Sequence, residues 1–173
     1  TARRNCCGLY FEASCVGGVP IIRTLLDGVQ GNCISEMMGI INGTTNFILT
    51  KMAEENEDYG SALKEAQKLG YAESDPTNDV EGIDAMYKLA ILSSLAFHTK
   101  VPYAKVFREG ISSVDKADIA YGKQLGYTLK LLAIGKNTPR GIEVRVHPTF
   151  IRNTHPLASV NDSFNAVYLK GDA

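Results

Sequence analysis

Apolar residues recur along this 173-residue chain with two different periods, and the change of period divides it. A small, glycine-rich stretch covers residues 12–19. Pro20 then opens a run of Ile21, Ile22, Leu25 and Leu26 at helical spacing. Proline suits a first helical position, because its missing N–H has no partner there. Residues 33–42 read as a strand. Gly43-Thr44-Thr45-Asn46 ends it, and Phe47, Ile48 and Met52 continue as a helix that Thr44 or Thr45 can cap with a hydroxyl. A short amphipathic helix is predicted over about 58–69, closed by Gly70 as a left-handed cap. A polar loop runs from Tyr71 to Asn78. The most apolar helix of the chain follows at about 79–97, and another at about 115–125.

The last third changes period. Ile142, Val144 and Val146 alternate with Glu143, Arg145 and His147, the pattern of a half-buried strand. Residues 127–135 alternate less cleanly, and Phe164 to Leu169 reads as one more strand. Helices first and successive strands later predict an α+β fold with a mostly antiparallel or mixed sheet. Its helices should pack on one face, leaving the other face for dimerisation. The whole of 1–173 reads as one domain.

Composition narrows the function. Hydrophobic residues make up 45% and charged residues 21%, so the chain can bury a core. The 18 basic and 19 acidic residues nearly cancel, which argues against an electrostatic grip on nucleic acid or an anionic membrane. The longest apolar stretch, Leu89 to Phe97, is about half of what a bilayer requires. No leader is apparent, and Thr1-Ala2-Arg3-Arg4 reads like a cut inside a longer protein. Cys6, Cys7, Cys15 and Cys33 have no metal-site spacing and read as reduced thiols of a cytoplasmic protein. Neither GxGxxG nor GxxxxGK[ST] occurs, so no nucleotide phosphate loop is recognisable.

The chemistry concentrates before and within the helix at 79–97. Lys88 lies among Met86, Tyr87, Leu89, Ala90, Ile91 and Leu92, where an ammonium is costly unless paired. Glu81, Asp84 and Lys88 are spaced to share one helix face. A lysine held between a carboxylate and an apolar surround is suited to exchanging a proton, although an ordinary ion pair has the same spacing. Glu73, Asp75, Asp79, Glu81 and Asp84 crowd five carboxylates into twelve residues, enough to hold a cationic amine. They also suit a helix start. Gly43-Thr44, at a helix N-terminus, exposes backbone N–H groups to a carboxylate or phosphate. Glu12 beside the glycines at 17 and 18 is a candidate for holding a hard cation. Cys15 there reads as a small packed residue.

Three segments together resemble a known family. The ungapped pattern Ala66-x-x-x-Gly70-Tyr71-Ala72-x-x-Asp75-Pro76-x-x-Asp79-Val80-x-Gly82-x-Asp84-x-x-x-Lys88 is similar to the signature of homoserine dehydrogenase. Phe11-Glu12-Ala13-Ser14 through Gly17-Gly18-Val19-Pro20-Ile21-Ile22 resembles the start of its catalytic region. Ile40-Ile41-Asn42-Gly43-Thr44-Thr45-Asn46-Phe47-Ile48-Leu49 resembles the monofunctional members more than the kinase-fused ones.

The resemblance implies NAD- or NADP-dependent interconversion of homoserine and aspartate semialdehyde, in the pathway to threonine, methionine and isoleucine. By position, Lys88 would be the acid/base and Asp84 would orient it. Glu73 would bind the substrate amine, Asp79 would support that pocket, and Gly43, Thr44 and Tyr71 would line it. Glu12 with the carbonyls of Cys15, Gly17 and Val19 would form a sodium site. The family's nucleotide-binding domain, C-terminal segment and regulatory domain have no counterpart here. The expectation is therefore a substrate-binding, homodimer-forming region, inactive by itself. A non-catalytic dimerisation module is the alternative.

Overall fold

The computed structural model describes residues 2–172, and its architecture is α+β. Helix α1 (Ile21–Arg23) runs into a π-turn at Thr24–Gly28, where the Val29 N–H reaches back to the Thr24 carbonyl. Strand β1 (Glu36–Ile40) leads into α2 (Gly43–Glu54), followed by α3 (Tyr59–Lys68), α4 (Thr77–Val80) and α5 (Ile83–Ala96). Strand β2 (Phe107–Arg108), helix α6 (Lys116–Gln124) and strands β3 (Tyr127–Thr138), β4 (Gly141–Arg152) and β5 (Ala166–Lys170) complete the chain. The sheet order is β2-β4-β3-β1-β5, antiparallel throughout except for the parallel β2–β4 pair.

The core forms where the helices meet the sheet. Phe47, Ile48, Leu49 and Met52 of α2 and Leu89 and Leu92 of α5 share a buried cluster with Met37, Leu131, Ala133 and Val146 of the strands. The sheet's second face carries a smaller cluster of its own. Ile40, Leu132, Ile134 and Ile151 are buried there with Leu157 and Ala158 of the turn Pro156–Ser159. Both faces of mid-β3 are therefore buried, and this is why its alternation is blurred.

Several boundaries move for identifiable reasons. Pro20 is the cap of α1 rather than its first helical residue. The strand predicted over 33–42 shrinks to five residues, because Asn42 leaves the sheet to cap α2. Its side chain accepts the Thr45 N–H at 2.9 Å, so neither threonine is the cap. Thr44 Oγ1 instead donates to the Tyr71 carbonyl at 2.6 Å, and Thr45 Oγ1 donates back to Asn42.

The helix predicted over 79–97 is two helices. Gly82 adopts φ 69° between them, a left-handed conformation that costs other residues about 1 kcal/mol or more and ends the α4 spiral. Nor is α5 buried all round: Tyr87 and Ile91 are exposed, and the Tyr87 ring meets Tyr103 at 5.1 Å.

Beyond the end of the β1–β3 ladder, Lys130 is 1% exposed. Its ammonium donates to Val160 O at 2.6 Å and to Asn46 Oδ1 and Asn161 Oδ1, both at 3.1 Å. Burial pushes its pKa down to about 8, against a smaller upward pull from Glu54 and Asp162. Between that value and the ordinary lysine range the unfolded chain binds the proton and the folded chain does not. Stability should therefore rise with pH across that window, and this contribution is lost as pH falls through about 8, by at most about 3 kcal/mol. Chemical denaturation at pH 7 and pH 10 should show this rise over a Lys130→Met variant. Equal slopes would contradict it.

Candidate active site

Where β1 hands over to α2, three polar elements converge on Asn42. This residue is buried, and its one amide does two jobs. The oxygen caps α2, and the nitrogen donates to Asp79 Oδ1 at 2.7 Å and to Asp84 Oδ2 at 3.0 Å. Asp84 Oδ2 also accepts from Lys88 Nζ at 2.6 Å, an i,i+4 pair on α5 whose side chains are 30% and 23% exposed. Lys88 Nζ donates further to the Ile41 carbonyl at 3.3 Å. The lysine is thus half-buried and paired, with α4, α5 and the end of β1 all holding the same small network.

Gly43 and Thr44 form the adjacent first turn of α2. A Cβ on Gly43 would lie 2.7 Å from the Ser163 carbonyl, so only glycine allows the turn at 160–164 to come this close. Thr44 reaches Tyr71 through the hydroxyl bond already described, and the Tyr71 ring packs on Phe47 with centroids 4.8 Å apart. Tyr71 itself is exposed.

The acidic crowd separates into distinct roles. Asp79 and Asp84 join the Lys88 network. Asp75 instead accepts from the Thr77 N–H and hydroxyl at the start of α4, which holds its carboxyl below the usual range. Glu81 leaves the face it was expected to share with Asp84 and Lys88, because Gly82 turns the chain between them. Its carboxylate accepts from Ser112, and its carbonyl accepts from Arg108. Glu73 is exposed, and its carbonyl, with that of Ser74, accepts from Gln67.

Glu12 lies apart from these hydrogen bonds and caps α1. Its two carboxylate oxygens accept from the Ile22 and Arg23 N–H groups at 2.7 and 3.0 Å. The turn between, with Val16 at φ 59° and Gly17 at φ 56°, carries Cys15, Gly17 and Val19. Val19 O accepts from the Ile21 N–H at 2.7 Å. Cys15 is buried, and burial pushes its thiol pKa up while a hydrogen bond with Ser14 and, less strongly, the charge of Lys88 pull the other way. Among the described residues the four cysteines are free thiols.

Asn42 is the residue the sequence reading passed over. Its signal was available, since asparagine before Gly-Thr-Thr is a favoured helix cap. Asn42→Ala should cost about 1 kcal/mol through the lost cap. Asn42→Asp keeps the cap but sets three carboxylates together. It should be unstable at neutral pH and recover relative to wild type below about pH 5, as one of them takes a proton. Denaturation midpoints against pH check this; an aspartate variant as stable as wild type at pH 7 would refute the donor role.

Comparisons with known proteins place the chain in a family. The homoserine dehydrogenase family profile matches residues 20–173. A homoserine dehydrogenase from Bacillus subtilis is 52% identical over 172 residues, covering 99% of this chain and 40% of the relative. The crystal structure of a homoserine dehydrogenase from Thiobacillus denitrificans superposes with a TM-score of 0.97 at 47% identity, over 99% of this chain and 40% of that one. A hyperthermophilic archaeal homoserine dehydrogenase in complex with NADPH matches at TM-score 0.82 and 31% identity, over 99% of this chain and 48% of that one. Fold and relatives together define an α+β region of an oxidoreductase family. More narrowly, the chain belongs to the homoserine dehydrogenase family. It spans about 40% of the length of the curated relatives it matches. Among the described residues no helix is long and apolar enough to cross a membrane.

Proposed function

We propose that this chain is the substrate-binding and catalytic region of an NAD(P)-dependent homoserine dehydrogenase, with Lys88 as acid/base. The observation that carries this is the Asp84–Lys88 pair at 2.6 Å, tied through Asn42 to Asp79 beside the first turn of α2. A bound nicotinamide would supply the hydride acceptor for the alcohol carbon in the oxidation direction. Neutral Lys88 takes the hydroxyl proton, and in the reverse direction the ammonium returns a proton to the aldehyde oxygen. Asp84 orients Lys88 for both. Two acceptors, Asp84 and the Ile41 carbonyl, serve an ammonium with three N–H groups, leaving one proton for a substrate oxygen.

The amino-acid end of the substrate has opposite charges to satisfy. Glu73 and Asp79 suit its ammonium. The Gly43 and Thr44 N–H groups, at the positive end of α2, suit its carboxylate. Tyr71 closes the pocket from the loop side. A sodium ion at Glu12 and the Cys15, Gly17 and Val19 carbonyls belongs to the same proposal: the donors are all hard oxygens. Glu12 and Val19 already serve the turn, so the ion would share them and brace the segment that carries Cys15.

A homodimer through the second sheet face is supported by half-buried Met38, Ala166 and Tyr168 beside its buried cluster. Free thiols suit a cytoplasmic setting. The test is direct. The protein that carries this chain should reduce NAD+ or NADP+ with homoserine as the alcohol. Absence of turnover, with sedimentation still showing a dimer, would favour the non-catalytic dimerisation module instead.

A further inference from the structure

Lys130 is a buried cation that the proposed reaction does not use, and its partners lie on the two segments that meet behind Gly43. Asn46, on the first turns of α2, accepts from the Lys130 ammonium and donates to the carbonyls of Val160 and Phe164 at 3.0 and 3.1 Å. The turn at 160–164 is therefore clasped at both ends by one amide. Lys130 adds its own bonds to Val160 and Asn161. Asn161 is held from its other side by Glu54 at 3.0 Å, and the Asp162 N–H donates to Thr50 Oγ1 at 3.1 Å. Between these anchors the Ser163 carbonyl occupies the space where Gly43 would carry a side chain.

We infer that Lys130 is a positioning residue for the substrate: its ammonium pins the turn at 160–164 against the first turn of α2 and so fixes the Gly43–Thr44 backbone that meets the substrate carboxylate. This rests on the reading of the site given under the proposed function. The Lys88–Asp84 pair belongs to α5 and is not part of the clasp. Loss of the clasp should therefore weaken substrate binding more than the chemical step. Lys130 touches no substrate and acts through the turn. Uncharged side chains of similar length leave the Asn46 and Asn161 amide oxygens unpaired and hold Val160 by the Asn46 bond alone, which should let the turn drift from Gly43.

The test uses steady-state kinetics of the full protein. Lys130→Met should raise the KM for homoserine at least about tenfold, with kcat and the KM for the nicotinamide nucleotide each within about threefold of wild type. Lys130→Ala opens room beside an existing cavity of about 180 Å³ lined by Tyr127, Asn153 and Asn161. Added n-propylammonium should enter and lower the homoserine KM saturably, whereas 1-propanol, of the same size but uncharged, should not. Equal rescue by both would mean simple space filling and overturn the inference. If the Lys130 variants do not fold, Asn161→Ala removes one clasp partner and should move the homoserine KM alone, by about threefold or more; an unmoved KM overturns the inference. The two readings fail separately. Wild type that does not oxidise homoserine, or Lys88→Ala that keeps its turnover, defeats the proposed reaction. An unmoved KM in the Lys130 and Asn161 variants beside an inactive Lys88→Ala defeats only the positioning role.

Discussion

Replacing Lys88 by alanine should lower the kcat of homoserine oxidation by about 10²–10⁴-fold, the usual share of a positioned acid/base. The KM for the nicotinamide nucleotide should stay within about threefold, because no bond of Lys88 leads toward a phosphate-binding element. Lys88→Arg sharpens the test. A guanidinium can keep the ion pair with Asp84 but holds its proton throughout the working pH range. Charge without a transferable proton should leave the arginine variant nearly as slow as alanine. An arginine variant close to wild type would mean that Lys88 only supplies positive charge to the substrate oxygen, and the proton route would have to be sought elsewhere. Asp84→Asn separates orientation from chemistry: it should fall between the two, since an amide still accepts from Lys88 but no longer balances its charge. The readout is stopped-flow hydride transfer at a fixed pH, so that slow product release does not mask the loss.

How much of this was legible beforehand follows from which forces were local. The i,i+4 spacing of Asp84 and Lys88 is local, and the pair stands as the spacing implies. The amphipathic helix from Tyr59 to Lys68 and its Gly70 cap, at φ 81°, are local as well. Gly82 was legible in principle, but the apolar period runs on across it, and period alone does not reveal a backbone that turns left-handed. Glu81 was misplaced with it. Strand β2 carries no local signal. Its two residues are held by parallel pairing to Arg145 and Val146 of β4. Burial of β3 on both faces depends on Leu157 and Ala158, more than twenty residues downstream, so its pattern could not show a polar side. Lys130 stood in plain view within Leu129-Lys130-Leu131-Leu132. Its partners Asn46 and Val160 lie 84 and 30 residues away, and nothing near it predicts them. The same limit applies to the Ser163 carbonyl behind Gly43. For Glu73 and Glu12 the pattern offered only an amine-binding acid cluster and a hard-cation turn; the substrate amine and the sodium ion came from resemblance, and for Glu12 the geometry adds a second duty as the cap of α1.

Leu89→Ala should be the most destabilising single change on the helix that carries Lys88. Leu89 is fully buried, next to the lysine in sequence, in the cluster shared by α5 and the sheet. Removing its side chain loses the transfer free energy and leaves a cavity, about 2–5 kcal/mol together. That is a large part of the 5–15 kcal/mol typical of a domain. The melting midpoint should fall by roughly 5–15 °C at this size. Ile91, two residues on and 37% exposed, is the internal control: Ile91→Ala should cost less than about 1 kcal/mol. Both variants should keep kcat at temperatures well below their midpoints, because the acid/base pair faces Asn42 and Ile41 while Leu89 faces the core. Similar midpoints for the two variants would mean that α5 is rotated about its axis, and a helix so rotated would also carry Lys88 away from Asn42. The thermal comparison therefore tests the placement of the proposed acid/base without measuring any reaction.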